Sequence, residues 1–231
     1  METLNEKYKQ DFNMALNIYE KDYSHDKLIT FLKEGSIAEK QAAAIKMDKL
    51  FCKYDVDIFM QNLTGCDGKI REAVSFRLPE FVQNSPDFFA GYVDVFLDAI
   101  IDINGNICRN TISALKYLKT NKEFCGEFCE KLIQKAIDIS ENVKDFDIQE
   151  GKYKVNKEVF KLYWYLETIY IFCENIENPK LFGLLNITKD ITDYTIREKT
   201  AKILSKIKGA ETADIKAQLA KDDNYYVRRY K

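Results

Sequence analysis

One segment, residues 67–81, recurs in degraded form along the chain and limits the fold more than any other feature. It opens with Asp67, which can cap a helix, and Arg71 follows four positions later. Apolar residues then recur at spacings of four, four and three, namely Ile70, Val74, Leu78 and Phe81. This spacing predicts one apolar face of an α-helix. Because a lone helix cannot bury such a face, its recurrence predicts a stacked helical array.

The composition supports an all-α fold. The 231 residues include only 9 Gly and 3 Pro, too few turn residues for an all-β chain of this length. The net charge of −2 argues against a chain that is basic throughout. We expect no membrane span, and residues 1–6 lack a signal-peptide pattern, so we expect a cytoplasmic protein. The six scattered cysteines are typical of reduced, mostly buried thiols.

In chain order, the pattern predicts an N-terminal capping helix in residues 1–23 and a repeat array in 24–231. Its helix pairs are expected in residues 24–54, 55–84, 85–120, 121–175, 176–208 and 209–231. Residues 141–151 are polar and acidic, and we expect an exposed loop there. In the fourth pair, a core face is expected at Val155, Val159, Tyr163 and Leu166.

The repeats resemble those of the HEAT family. The resemblance rests on paired helices, on a cap-type residue four before an arginine, and on related positions at Glu39, Ile70, Ile107, Val155, Ile196 and Val227. It implies a right-handed α-solenoid of about five to six helix pairs. Two repeats depart from the pattern, because the third has Cys108 beside Arg109 and the fourth has Asn156.

Charge is distributed unevenly over the predicted pairs. The second helices sum to +11 over residues 37–54, 67–83, 105–121, 152–174, 192–208 and 223–231. The first helices sum to −9 over residues 26–35, 55–64, 86–103, 121–141, 176–190 and 210–222. In HEAT-type arrays the second helices usually line the concave face, so the resemblance implies a basic groove. Its candidate residues are Lys40, Arg71, Arg109, Lys157, Trp164, Arg197 and Arg228.

Structural roles compete with binding at several of these positions. Arg71, Arg197 and Arg228 each follow a cap-type residue by four and can pair within the fold instead. Trp164 is flanked by Tyr163 and Tyr165, and three successive aromatic residues cannot all face one core. Trp164 is therefore either a rim anchor for a partner or a member of the core.

Little in the sequence favours an enzyme. A single histidine, His25, leaves no two-histidine metal site, and no glycine-rich phosphate loop is present. Cys125 and Cys129 lie four apart, with Cys108 as a third thiol, but their spacing is not that of a zinc knuckle. We expect no catalytic residue, metal or cofactor.

Two functions remain open from the sequence. The first is a non-enzymatic scaffold that binds an acidic protein or peptide in a basic groove. The alternative is DNA binding, because residues 39–45 loosely resemble a repeat start in the HEAT-like DNA glycosylases of alkylation repair. Those enzymes carry several groove tryptophans around a Trp-Asp pair, whereas here Trp164 is the single tryptophan and Tyr165 follows it. The oligomeric state is left open.

Overall fold

The computed structural model describes residues 4–143 and 157–230. These residues contain thirteen α-helices and no strand, which confirms the all-α prediction. The helices are α1 (Leu4–Glu20), α2 (His25–Glu34), α3 (Ile37–Lys46), α4 (Lys53–Leu63), α5 (Gly68–Asn84), α6 (Val93–Ala99), α7 (Gly105–Leu115), α8 (Lys122–Val143), α9 (Lys157–Phe172), α10 (Asn178–Thr188), α11 (Tyr194–Lys206), α12 (Ala213–Leu219) and α13 (Tyr225–Arg228).

The chain divides into two compact units, Met1–Asn121 and Lys122–Lys231. In the first unit, α3, α5 and α7 pack side by side, and α1 packs against α3. Helices α2, α4 and α6 form a second row, and each also contacts the helix that follows it in the chain. The core between the rows is fully buried and includes Leu32, Phe59, Leu63, Leu78 and Phe96.

The second unit has a related arrangement. Helix α9 contacts both α8 and α11, and α11 contacts α13. Helix α10 packs against α8 and α11, and α12 packs against α11. Aromatic side chains dominate this core, with the ring centroids of Phe128 and Phe172 5.2 Å apart and both side chains fully buried.

Helix starts agree with the cap residues that the sequence suggests. The Asp67 carboxylate accepts hydrogen bonds from the N–H groups of Lys69 and Ile70, 2.9 and 3.1 Å away. At the start of α3, Ser36 and Glu39 form a capping box, in which each side chain accepts from the other's backbone N–H. These bonds satisfy N–H groups that the first helical turn leaves without partners.

Other boundaries differ from the prediction. The first helix of the third pair was expected across 86–103, but this stretch holds a 3-10 turn, Pro86–Phe88, and the short α6. Helix α8 continues to Val143, so the first three residues of the expected 141–151 loop are helical. The remainder of that loop, together with Val155 and Asn156, lies outside the described residues.

The N-terminal helix buries only part of its apolar surface. Ile18 is buried, and Met14 and Ala15 are partly buried. Two aromatic side chains of the same helix are exposed, with Phe12 64% and Tyr8 59% accessible. A Lys46 ammonium group on α3 fixes the end of the helix by donating to the Ile18 carbonyl, 2.7 Å away.

Candidate functional site

Arg71 ties the start of α5 to the next helix pair. Its Nε and Nη2 donate to the two carboxylate oxygens of Asp102, at 2.6 and 3.4 Å. Its Nη1 donates to the carbonyls of Gly65 and Cys66, at 2.8 and 3.1 Å. Asp102 also accepts from the N–H of Asn104, the residue that caps α7. The guanidinium group is thus fully engaged within the chain.

Arg197 repeats this arrangement in the second unit. Its Nε and Nη2 donate to Asp222 at 2.6 and 3.2 Å, and its Nη1 donates to the carbonyls of Ile191 and Thr192. Asp222 likewise accepts from the N–H of Asn224, the cap of α13. Each arginine stands four residues after its own cap, and each aspartate stands two before the next cap. We call such a pair an arginine–aspartate rung.

These rungs lie mostly out of solvent. The side chains of Arg71 and Asp102 are 15% and 9% exposed, and those of Arg197 and Asp222 are 19% and 8% exposed. Burial opposes ionisation of Asp222, but hydrogen bonds from Arg197 and from the Asn224 N–H outweigh it and lower the pKa of that carboxyl. The paired geometry therefore favours a structural role for both arginines.

The other positions that lie four residues after a helix cap make different contacts. Arg228 donates from Nη1 to the carbonyl of Asp222. The Cys108 thiol lies 3.1 Å from the carbonyl of Asp102 and occupies the corresponding place in the third pair. Burial raises the pKa of the Cys108 thiol to about 12, so it is a neutral, inert group at physiological pH.

Lys40 occupies the arginine position of the first pair, and Gly65 occupies the matching aspartate position. This substitution leaves the rung incomplete and coincides with a solvent-open cavity of about 430 Å³. We call this cavity the Lys40 pocket, defined by Lys33, Lys40, Gln61, Asn62, Gly65 and Cys66. Lys40 is partly buried, and its ammonium group makes no hydrogen bond or ion pair with any described residue.

Arg109 and Lys157 are both exposed. Arg109 belongs to the first unit, where its Nη2 donates to the side-chain oxygen of Asn106 at 2.9 Å. Lys157 is the first residue of α9, in the second unit. Their charges are therefore accessible to solvent, as the proposed groove requires.

The aromatic run of α9 is oriented differently from the prediction. Trp164 is only 6% exposed, so its interpretation as a rim anchor is wrong and its indole belongs to the core. Tyr163, expected in the core, is partly exposed, while Tyr165 is buried. The core prediction is confirmed for Val159 and Leu166.

Tyr163 instead contributes to a surface between α9 and α11 that sequence reasoning missed. We call it the lysine–tyrosine surface, and it consists of Tyr163, Glu167, Tyr170, Lys199, Lys202 and Lys206. On α9, Tyr163, Glu167 and Tyr170 follow one another at spacings of four and three residues. On α11, the three lysines follow one another at spacings of three and four. These complementary spacings on neighbouring helices were the signal available in the sequence.

Cations lie over aromatic rings throughout this surface. The ammonium group of Lys199 is 4.5 Å from the centroid of Tyr163, and those of Lys202 and Lys206 are 4.3 and 4.0 Å from that of Tyr170. Glu167 bridges two of the lysines, with distances of 2.9 Å to Lys199 and 2.7 Å to Lys202. The surface thus carries three ammonium groups and one carboxylate, which pairs with two of them.

The charges on this surface stabilise one another's ionised forms. Burial would raise the pKa of Glu167, but the hydrogen bonds from Lys202 and Lys199 outweigh it and hold that pKa below its ordinary value. Burial would likewise lower the pKa of Lys199, yet Glu167 and Tyr163 raise it overall. Lys199 therefore remains cationic at neutral pH although it is buried.

The single histidine has a local partner. His25 Nε2 lies 2.8 Å from Oδ2 of the buried Asp55, which also accepts from the N–H of Phe51. The His25 ring packs edge-on against the Phe51 ring, with centroids 4.4 Å apart. These contacts connect α2 to the start of α4 and assign the pair a packing role.

No metal-binding cluster of His, Cys, Asp or Glu occurs among the described residues. All six cysteines are free thiols; Cys52 and Cys66 are exposed and the other four are buried. In the part of the chain that the structure describes, no helix is long and apolar enough to cross a membrane. No family model matches the chain, and no match was found among curated proteins.

Proposed function

We propose that each unit is a stretch of right-handed, HEAT-like α-solenoid and that the chain is a non-enzymatic scaffold for an acidic protein or peptide. Taken two by two in chain order, the helices α2 to α13 correspond to the six expected repeat segments, although α4 begins two residues early, at Lys53. Side-by-side packing of α3, α5 and α7, with rungs of the same chemistry in both units, supports this repeat architecture.

The lysine–tyrosine surface is the observation that carries the binding proposal. It lies between two second helices, where the resemblance expects the groove, and it combines the buried Lys199 and two more accessible lysines with one carboxylate. Lys202 is partly exposed and Lys206 is exposed, so both can meet a ligand. Tyrosine rings beside lysines favour a peptide that combines carboxylates with apolar groups. Exposed Arg109 and Lys157 add positive charge to their own units.

Arg71, Arg197 and Arg228 have a smaller part in this proposal than the sequence suggested. Arg71 and Arg197 are each paired with an aspartate, and Arg228 donates to a backbone carbonyl. The positive charge of the second helices is thus partly neutralised within the fold. Removing any of these arginines is expected to disturb the fold before it disturbs binding.

The experiment is a titration of a fluorescein-labelled peptide of alternating glutamate and aspartate, followed by fluorescence anisotropy. A glutamine and asparagine peptide of equal length is the neutral control. The wild-type chain should bind the acidic peptide and not the neutral one. The Lys202→Gln/Lys206→Gln variant should bind it about tenfold more weakly, equivalent to about 1.4 kcal/mol.

A matched variant controls for net charge. Lys135→Gln/Lys180→Gln removes two lysines from the first helices α8 and α10, where Lys135 and Lys180 are exposed. It should retain wild-type affinity, with an unchanged helical circular dichroism spectrum in both variants. Equal losses in the two variants would show that only overall charge matters, and the proposed surface would be wrong.

A further inference from the structure

We infer that the Lys40 pocket is a receptor for a carboxylate side chain of the acidic partner. The incoming carboxylate would take the place that Asp102 takes beside Arg71 and that Asp222 takes beside Arg197. This inference rests on the proposed function, because it adds a second, specific anchor for the same class of partner.

The starts of α5, α7 and α13 are structurally equivalent. The caps of α5, α7 and α13, namely Asp67, Asn104 and Asn224, have φ of −90°, −90° and −86° and ψ of 121°, 109° and 127°. Each cap side chain accepts from the N–H two residues later. The residue two before the cap is therefore held in the same local frame in all three helix starts.

The residue at the position two before the cap differs among these three helix starts. Asp102 and Asp222 occupy it before α7 and α13, and each receives two hydrogen bonds from an arginine of the preceding pair. Gly65 occupies it before α5 and supplies no side chain. The preceding pair offers Lys40, whose ammonium group has no acceptor among the described residues. One cation of the repeat pattern thus lacks its carboxylate.

The space beside Lys40 is accessible to a ligand. The cavity of about 430 Å³ opens to solvent and is large enough for an aspartate or glutamate side chain. Lys33 adds a second cation to its wall, although it also lies 3.6 Å from Glu34. The side chain of Gln61 is exposed and offers an amide donor.

The charge of the pocket selects a carboxylate over a phosphate. Asp67 also lines the cavity, and its Oδ1 is used to cap α5. A singly charged carboxylate would neutralise the ammonium group of Lys40. A phosphate, which carries nearly two negative charges, would be repelled by Asp67. An acidic peptide therefore fits better than a phosphorylated one.

The decisive variant puts the missing carboxylate into the chain itself. A Cβ at Gly65 would have only ordinary contacts, the nearest being 3.5 Å to the Gln61 carbonyl, and the backbone there is compatible with any residue. Gly65→Asp should therefore fold, pair with Lys40 and weaken binding of the glutamate and aspartate peptide about tenfold. Gly65→Asn, which is neutral and of equal size, should weaken it much less.

Variants of Lys40 test the cation. Lys40→Gln should lose affinity about tenfold, and Lys40→Arg should keep it. Lys116→Gln, which removes an exposed lysine directly after α7, is the matched control and should bind normally. Free glutarate at millimolar concentration should not displace the peptide, because a single carboxylate contact is weak. Displacement by glutarate would show that the pocket binds small carboxylates, and the inference of a site for a peptide side chain would be wrong.

A measurement without any partner separates this inference from the proposed function. Lys40→Arg/Gly65→Asp should melt at a higher temperature than the two single changes predict together, because it completes a rung. Absence of this coupling would overturn the inference whatever the peptide does. Normal peptide binding by Lys40→Gln, together with a loss in Lys202→Gln/Lys206→Gln, would also overturn it while leaving the lysine–tyrosine surface in place. A wild-type chain that binds no acidic peptide would refute both.

Discussion

Arg71 Nε lies 2.6 Å from Oδ2 of Asp102, a residue 31 positions later in the chain. Arg197 makes the same contact with Asp222 at the same distance. Two arginines that are equivalent in the repeat pattern thus reach two equivalent aspartates. The contact joins the start of one second helix to the start of the next, so it stabilises the packing between successive pairs.

Breaking one of these rungs should be costly. Arg71→Ala removes the guanidinium donors of the Asp102 carboxylate and of the Gly65 and Cys66 carbonyls, and leaves Asp102 with only the Asn104 N–H in a place that is largely out of water. We expect a loss of about 3 kcal/mol in the free energy of unfolding of the first unit, measured by chemical denaturation. Arg109→Ala, at an exposed position of the same unit, should cost less than about 1 kcal/mol. Similar losses in the two variants would contradict the structural role of Arg71.

The pH dependence of stability should depend on Glu167. Its pKa is lowered from 4.5, so the pair with Lys199 and Lys202 contributes fully above about pH 4.5 and is lost as pH falls through the lower folded pKa. Glu167→Gln should therefore be less stable than wild type at neutral pH, and the difference should shrink in acid.

The stabilisation that Glu167 and Lys199 provide should also be lost at alkaline pH. Because the pKa of Lys199 is raised from 10.5, its contribution is complete below about pH 10.5 and is lost above the folded pKa. Thermal melts across the pH range measure both limits, with Glu127→Gln on α8 as the exposed control. A constant difference between Glu167→Gln and wild type at all pH values would refute the assigned pairing.

The different burial of two neighbouring aromatic residues predicts unequal losses of stability when each is replaced by alanine. Trp164→Ala removes a side chain that is 6% exposed and should cost about 3 to 5 kcal/mol. Tyr163→Ala removes a partly exposed ring that packs edge-on against Trp164, with centroids 5.1 Å apart, and should cost clearly less. Denaturation of the two variants side by side measures the order. If Tyr163→Ala proved the more damaging change, the orientation of α9 would be wrong.

The thiols provide a chemical test of the pocket. Exposed Cys52 and Cys66 should react with a thiol reagent in the native protein, whereas the four buried cysteines should react only after denaturation. Cys66 borders the Lys40 pocket, so the glutamate and aspartate peptide should slow its reaction. Cys52 lies outside that pocket and is the internal control. Mass spectrometry of the modified peptides distinguishes the two, and equal rates at Cys66 with and without peptide would count against the site.

Local signals in the sequence predicted much of the fold. The caps Asp67 and Asp193, and the apolar spacing after them, located the second helices because capping and periodicity act within a single turn or stripe. Residues such as Val159 and Leu166 were assigned to the core for the same reason. The interrupted helix of the third pair was missed, since the turn after Pro86 depends on how that short stretch packs.

The site was harder to predict because it depends on contacts between repeats. Periodicity cannot decide which of Tyr163 and Trp164 faces the core when successive residues are all aromatic. Counting charges on the second helices could not show that Arg71 and Arg197 are paired with aspartates some 25 to 31 residues away. That Gly65 stands where a rung would have an aspartate follows only from the contact between Arg71 and Asp102, which the sequence does not show.

The most direct test of the account compares the acidic peptide with duplex DNA of similar length in one anisotropy assay at low and at physiological salt. We expect that the peptide binds the wild-type chain, that its affinity falls moderately with salt, and that DNA competes poorly. Tight DNA binding with a steep loss of affinity in salt, and no binding of the acidic peptide, would contradict it. That result would assign the cationic residues of the second helices to a nucleic-acid partner.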